Sequence, residues 1–88
     1  MPYVIKFTQH AARAFRKLPR DVQTRVSPAI DALKDDPRPS GSEKLKGADD
    51  VYRVRVGDYR ILYEVRDKEL VVCIIEAGHR RQMYRRSV

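Results

Sequence analysis

The sequence predicts an α+β fold in which two N-terminal helices pack on a small antiparallel sheet, in the order β-α-α-β-β-β. Three observations predict it. A short alternating apolar stretch opens the chain, apolar residues at helical spacing run on to Leu33, and from Val51 to Ala77 the apolar residues recur with a period of two. Residues 1–88 are enough for one domain with a modest core.

Tyr3, Ile5 and Phe7 alternate with Val4, Lys6 and Thr8, which reads as a strand with one apolar face. Thr8 offers an N-cap hydroxyl to a first helix. Ala11, Ala12, Phe15 and Leu18 form that helix's apolar side, and Pro19 ends it. Asp21 is the expected cap of a second helix, whose stripe is Val22, Val26, Ala29, Ile30 and Leu33. Pro28 conflicts with this helix, because it removes the bond to the Thr24 carbonyl at a cost of about 3 kcal/mol. A kink, or a helix in two pieces, is expected there.

Asp36 to Ser42 is a turn-forming loop rich in Pro, Gly and Ser, and Gly47 to Asp50 is a further turn. Gly57-Asp58 suits a two-residue hairpin loop with glycine first. Asp67-Lys68 makes the next turn. Leu70 to Ala77 is almost continuously apolar, as in a central strand covered on both faces.

Charge narrows the function classes. The chain carries 19 basic and 12 acidic side chains, a formal charge of +7, which favours a polyanionic partner such as nucleic acid. One cysteine, Cys73, excludes an intrachain disulfide and a multi-cysteine metal site. No apolar run approaches the roughly 20 residues of a membrane span, and the N-terminus lacks the long apolar region of a signal peptide. A soluble, cytoplasmic protein is expected.

The hairpin can be paired by arithmetic. A two-residue loop at Gly57-Asp58 sets Val56 opposite Tyr59, Arg55 opposite Arg60, Val54 opposite Ile61 and Arg53 opposite Leu62. Opposite side chains share a face. Arg53, Arg55 and Arg60 should therefore converge away from the helices, with Tyr52, Val54, Val56, Tyr59, Ile61 and Tyr63 in the core. Like charges directly opposite each other destabilise a sheet by up to about 1 kcal/mol. An anion between them removes that repulsion, and guanidinium groups match phosphate bidentately. The bland alternative is a set of splayed, solvated arginines.

A second basic cluster, Gly78-His79-Arg80-Arg81-Gln82-Met83-Tyr84-Arg85-Arg86, ends the chain. Gly78 can turn it back across the sheet. It holds the titratable candidates His79 and Tyr84, although it also reads as a frayed basic tail. His10, at the start of the first helix, reads as a surface residue.

These segments together resemble the RelE branch of the RelE/ParE toxin superfamily. The resemblance runs from about Tyr3 to Arg86. It is carried by Phe7-Thr8 with Ala11 and Arg13, by Lys17-Leu18-Pro19, and by Lys44-Leu45-Lys46-Gly47. Tyr52-Arg53-Val54-Arg55, Gly57-Asp58-Tyr59-Arg60 with Tyr63, and Gly78-His79-Arg80-Arg81 with Tyr84-Arg85 complete it. It implies a toxin that enters the ribosomal A site and cleaves messenger RNA by attack of the ribose 2′-hydroxyl on the adjacent phosphate, with no metal or other cofactor. By position it implies Arg55, Arg60, Arg80, Tyr84 and His79 as the catalytic set. Arg53, Lys44, Lys46, Arg81 and Arg85 are the implied RNA contacts, to messenger and 16S rRNA. It further implies a small RelB-like antitoxin, with operator DNA bound only through the complex. Relatives carry lysines where this chain has Arg53 and Arg55. Arginine does not shuttle protons, so a base must come from elsewhere, with His79, Tyr84 and Glu64 as candidates. Two rival functions share these features: a ParE-like gyrase poison and a non-catalytic RNA-binding module.

Overall fold

In the computed structural model, which describes residues 2–81, the apolar stripes form two layers. Strand β1 (Val4–Phe7) leads into helices α1 (Gln9–Arg16) and α2 (Arg20–Ala32). Strands β2 (Glu43–Lys44), β3 (Val51–Val56), β4 (Tyr59–Arg66) and β5 (Val71–His79) follow. The sheet order is β1-β5-β4-β3-β2. The predicted β3–β4–β5 meander is antiparallel throughout, and Arg55 faces Arg60 as the arithmetic requires.

The sheet departs from the predicted one in two ways. It is mixed, because β1 pairs in parallel with β5. It also gains β2, which pairs Glu43 with Arg53 and Lys44 with Tyr52. Strand β5 begins one residue later and ends two residues later than the apolar run suggests. Leu70 sits in the preceding turn with φ 55°, and Gly78 and His79 continue the ladder to Arg60 and Tyr59.

Thr8 caps α1 as predicted, accepting from the Ala11 N–H at 3.0 Å. Asp21 is not the cap of α2. Pro19 takes that position without a side-chain bond, and Asp21 stands in the first turn, where its charge suits the helix dipole. Pro28 lies inside α2, which is nonetheless assigned as one helix. The bond that proline forfeits is outweighed by the stripe on either side of it, since Val22, Val26, Ile30 and Leu33 are all buried. They meet Ile61, Tyr63, Val65, Val72, Ile74 and Ala77 from the sheet.

A polar clamp ties three distant segments together. Asp67, after β4, accepts from the Tyr3 hydroxyl at 2.6 Å and from both terminal nitrogens of Arg38 at 3.2 and 2.7 Å. Arg38 also donates from Nε to the Tyr52 hydroxyl at 2.9 Å. Tyr52 stacks on the fully buried Tyr63, whose hydroxyl donates to the Pro37 carbonyl at 2.7 Å. Among the described residues no helix is long and apolar enough to cross a membrane.

Candidate nucleic-acid interface

The face of the sheet away from the helices is built by alternation. On β4, Ile61, Tyr63 and Val65 are buried in the core, so Arg60, Leu62 and Glu64 point the other way. Their partners on β3 bring Arg55 beside Arg60 and Arg53 beside Leu62. Across β5, Arg60 faces Gly78 and Leu62 faces Glu76. Gly78 puts no side chain on this face, so Arg55 and Arg60 meet no bulk from β5 in their row.

A bulge decides what β5 contributes. Leu62 pairs with Glu76 and Tyr63 with Ile74, which leaves Ile75 as an extra residue. Before it, Val72 and Ile74 face the core. After it, Ala77 does, and Glu76 and Gly78 join the arginine face. Arg80 follows directly on the end of β5, where the chain leaves the strand, and its N–H donates to the Asp58 carbonyl at 3.0 Å. His79 falls on the opposite, helix side, paired with Tyr59 and edge-on to its ring at 5.3 Å.

Two guanidinium groups of this face are confined. Arg60 is 5% exposed, the one buried charged side chain among the described residues. Arg53 is fixed by Glu43 at 3.0 Å, while its Nε is buried with no hydrogen-bond partner among the described residues. Such a donor lacks an acceptor that a phosphate oxygen supplies. Arg55 is exposed at the rim.

The other expected contacts are spread more widely. Lys44 pairs with Tyr52, whose ring packs on the core, and so points away from the arginines. Lys46 is exposed in the loop between β2 and β3, at the end of β3 remote from Gly57. Arg81 is exposed, and its N–H donates to His79 Nδ1 at 3.2 Å. Tyr84 and Arg85 lie outside the described residues.

Two further groups stand on this side of the molecule. Strand β1 ends opposite Ile74, and α1 packs along the remainder of β5. Thr8 bridges the junction, with its N–H on the Ile74 carbonyl at 3.0 Å. One turn on, His10 Nε2 lies 2.6 Å from Glu76 Oε2, and Glu76 Oε1 accepts the Ala77 N–H at 3.1 Å. Spacing alone does not single out this pair. The one available signal is an acid in an otherwise apolar run.

A small α+β scaffold with arginines on adjacent strands of one sheet face defines the class: a small basic protein with two helices on a mixed sheet. The family model described as ParE toxin of type II toxin-antitoxin system, parDE, matches residues 5–84, and the chain belongs to that family. Toxin RelG of Mycobacterium tuberculosis is 34% identical over 98% of this chain and 100% of its own length. The mRNA interferase toxin RelE of Escherichia coli is 30% identical over 93% of this chain and 87% of its own length. Among solved structures, the archaeal RelE-RelB complex from Pyrococcus horikoshii superposes with a TM-score of 0.79 at 33% identity, covering 91% of this chain and 97% of that one. This is a type II toxin of the RelE kind.

Proposed function

We propose that this toxin is an endoribonuclease that cleaves messenger RNA in the ribosomal A site. The observation that carries the reading is the direct cross-strand pairing of Arg55 with Arg60, with Arg53 on the same face and Arg80 at the end of the neighbouring strand. Like charges opposed in this way repel each other, and paired guanidinium groups match a phosphodiester. The ribose 2′-hydroxyl attacks the adjacent phosphorus, a step that needs no metal ion. Arg55, Arg60 and Arg80 hold the phosphate and stabilise the charge that grows on its oxygens. Lys46, Arg81 and Arg85 contact messenger and 16S rRNA, and Tyr84 orients the base.

The cognate inhibitor is a RelB-like antitoxin, as in the RelE-RelB complex from Pyrococcus horikoshii. Operator DNA is then bound through the antitoxin. A gyrase-directed activity is the second reading, favoured by the ParE description of the matching family.

Induced expression with mapping of transcript 5′ ends, and parallel assay of gyrase-linked DNA breaks, tests both. Codon-phased cleavage in translated messages is expected. DNA breaks without cleavage would replace the first reading with the second. Arg60→Ala and Arg80→Ala should each slow cleavage by about 10²–10³-fold, the scale of losing one donor to developing charge. Full toxicity in both variants would remove these residues from the site.

A further inference from the structure

The row beside the two opposed arginines carries a different mixture of groups. Two residues along β3 from Arg55, about 7 Å at roughly 3.3 Å per residue, Arg53 stands between Glu43 on β2 and Leu62 on β4. Cross-strand partners share a face, so the three side chains lie abreast on the arginine face, one row from Arg55 and Arg60. Arg53 Nη2 is 3.0 Å from Glu43 Oε2, and the two side chains are 23% and 51% exposed. Leu62 is half-buried.

The two rows suit different parts of a nucleotide. Arg55 is opposed by a second guanidinium, that of Arg60. Arg53 is paired instead with a carboxylate, which offsets its charge and repels a phosphate. A carboxylate and a guanidinium side by side match a neutral polar edge that offers hydrogen-bond donors and an acceptor together. A nucleobase has such an edge, and a flat ring to lie on an apolar neighbour such as Leu62.

The bases differ along that edge. On its Watson–Crick side guanine sets two N–H donors, N1 and N2, beside a carbonyl oxygen, O6. A carboxylate accepts from both donors at once, and a guanidinium donates to the carbonyl. Adenine, cytosine and uracil each offer one donor group there, with an acceptor next to it that a carboxylate repels.

We propose that Glu43, Arg53 and Leu62 form a base subsite that selects guanine beside the cleaved bond. The inference rests on the endoribonuclease reading above. Glu43 accepts from N1 and N2 of the base, Arg53 donates to O6, and Leu62 packs against the ring, while Arg55 and Arg60 hold the adjoining phosphate. Glu76 also borders Leu62, across β5. Both of its oxygens have protein partners, however, His10 at 2.6 Å and the Ala77 N–H at 3.1 Å, and its side chain is 13% exposed. Glu43 is the more open acid of the row.

The test is single-turnover cleavage by the full chain of ribosome-bound messages that differ only at the nucleotides flanking the cut, where they carry guanosine, inosine or adenosine. Inosine keeps O6 and N1–H and lacks the N2 amine. The unmodified toxin should cut the guanosine message about 10-fold or more faster than the adenosine message, with inosine between them. Glu43→Ala should bring the guanosine-to-inosine ratio to about one, because the variant and the base analogue remove the same interaction from its two sides. An exposed ion pair contributes little to folding, so Glu43→Ala should melt close to the parent.

Equal rates on guanosine and inosine messages by the unmodified toxin overturn the proposal. So does a Glu43→Ala variant that keeps the parent's ratio. If Glu43→Ala does not fold, Glu43→Gln takes its place: it retains one acceptor oxygen of the two, and an undiminished ratio there overturns the proposal as well. Absence of cleavage of every message by the unmodified toxin is a failure of the endoribonuclease reading, visible before any base or variant is compared, and this inference falls with it.

Discussion

Replacing Arg55 with glutamine should make the free toxin more stable while weakening its hold on RNA. Arg55 and Arg60 are direct cross-strand partners, and Arg60 is 5% exposed, so solvent screens the pair less than it screens two rim charges. Two like charges roughly 6 Å apart repel by about 0.7 kcal/mol in a water-like dielectric, close to the upper end measured for opposed charges on strands. For 88 residues, about 2.1 cal/mol/K of unfolding entropy per residue makes 1 kcal/mol worth about 5 °C. Arg55→Gln should therefore raise the melting temperature by roughly 3–4 °C in about 0.1 M salt.

Lys68→Gln, at an exposed turn residue, is the control for the general effect of lowering the +7 charge. In 1 M salt, where the Debye length falls to about 3 Å, the advantage of Arg55→Gln over the parent should shrink. Inorganic phosphate should stabilise the parent more than the variant, because two guanidinium groups match a phosphate better than one. Scanning calorimetry reads all three comparisons. A melting temperature that does not change, or falls, in Arg55→Gln refutes the idea that the pair is strained for the sake of a ligand.

Two further predictions concern the scaffold. Tyr63→Phe removes the donor to the Pro37 carbonyl from a fully buried ring, and should cost about 1–3 kcal/mol in denaturant titration. Burial holds the Tyr63 phenol up at about 12, so the hydroxyl remains a donor at any working pH, and the loss should not vary between pH 6 and about pH 9. Asp67→Asn tests the clamp: hydrogen bonds from Arg38 and Tyr3 hold the Asp67 carboxyl below its ordinary value. A depressed folded-state pKa contributes stability above the unfolded value of about 3.9 and loses it as pH falls through the folded value. The melting difference between Asp67→Asn and the parent should thus be full at neutral pH and vanish on the acid side, and a constant difference would show that the carboxylate's charge is not what binds the clamp.

The hairpin register was legible because Gly57-Asp58 is short enough to admit one pairing, and each pair from Val56–Tyr59 to Arg53–Leu62 follows from it. The cap at Thr8 was legible for a similarly local reason. What could not be read were the long-range choices. The apolar alternation of Tyr3, Ile5 and Phe7 is the same whether β1 meets β5 in parallel or antiparallel fashion. Strand β2 consists of Glu43 and Lys44, too short to show any period. At the second helix, Asp21 has the chemistry of a cap, but the chain turns two residues earlier, at Pro19. The site suffered most from the run Leu70 to Ala77. Where nearly every residue is apolar, alternation is invisible, and so is an extra residue that reverses it. This is why His79 reads as a member of the arginine cluster while register sets it beside Tyr59, and why Glu76 goes unnoticed.

The supernumerary Ile75 also gives β5 one residue of slack that its composition does not reveal. Losing one codon between Cys73 and Glu76 would remove the surplus residue and make Ile74–Tyr63 and Glu76–Leu62 consecutive pairs, so a regular ladder would keep Ala77 on the core and Gly78 beside Arg60. Losing two would turn every later residue of the strand to the opposite face. A gene encoding this toxin can therefore shed one triplet there with the faces of the strand intact, and no more than one.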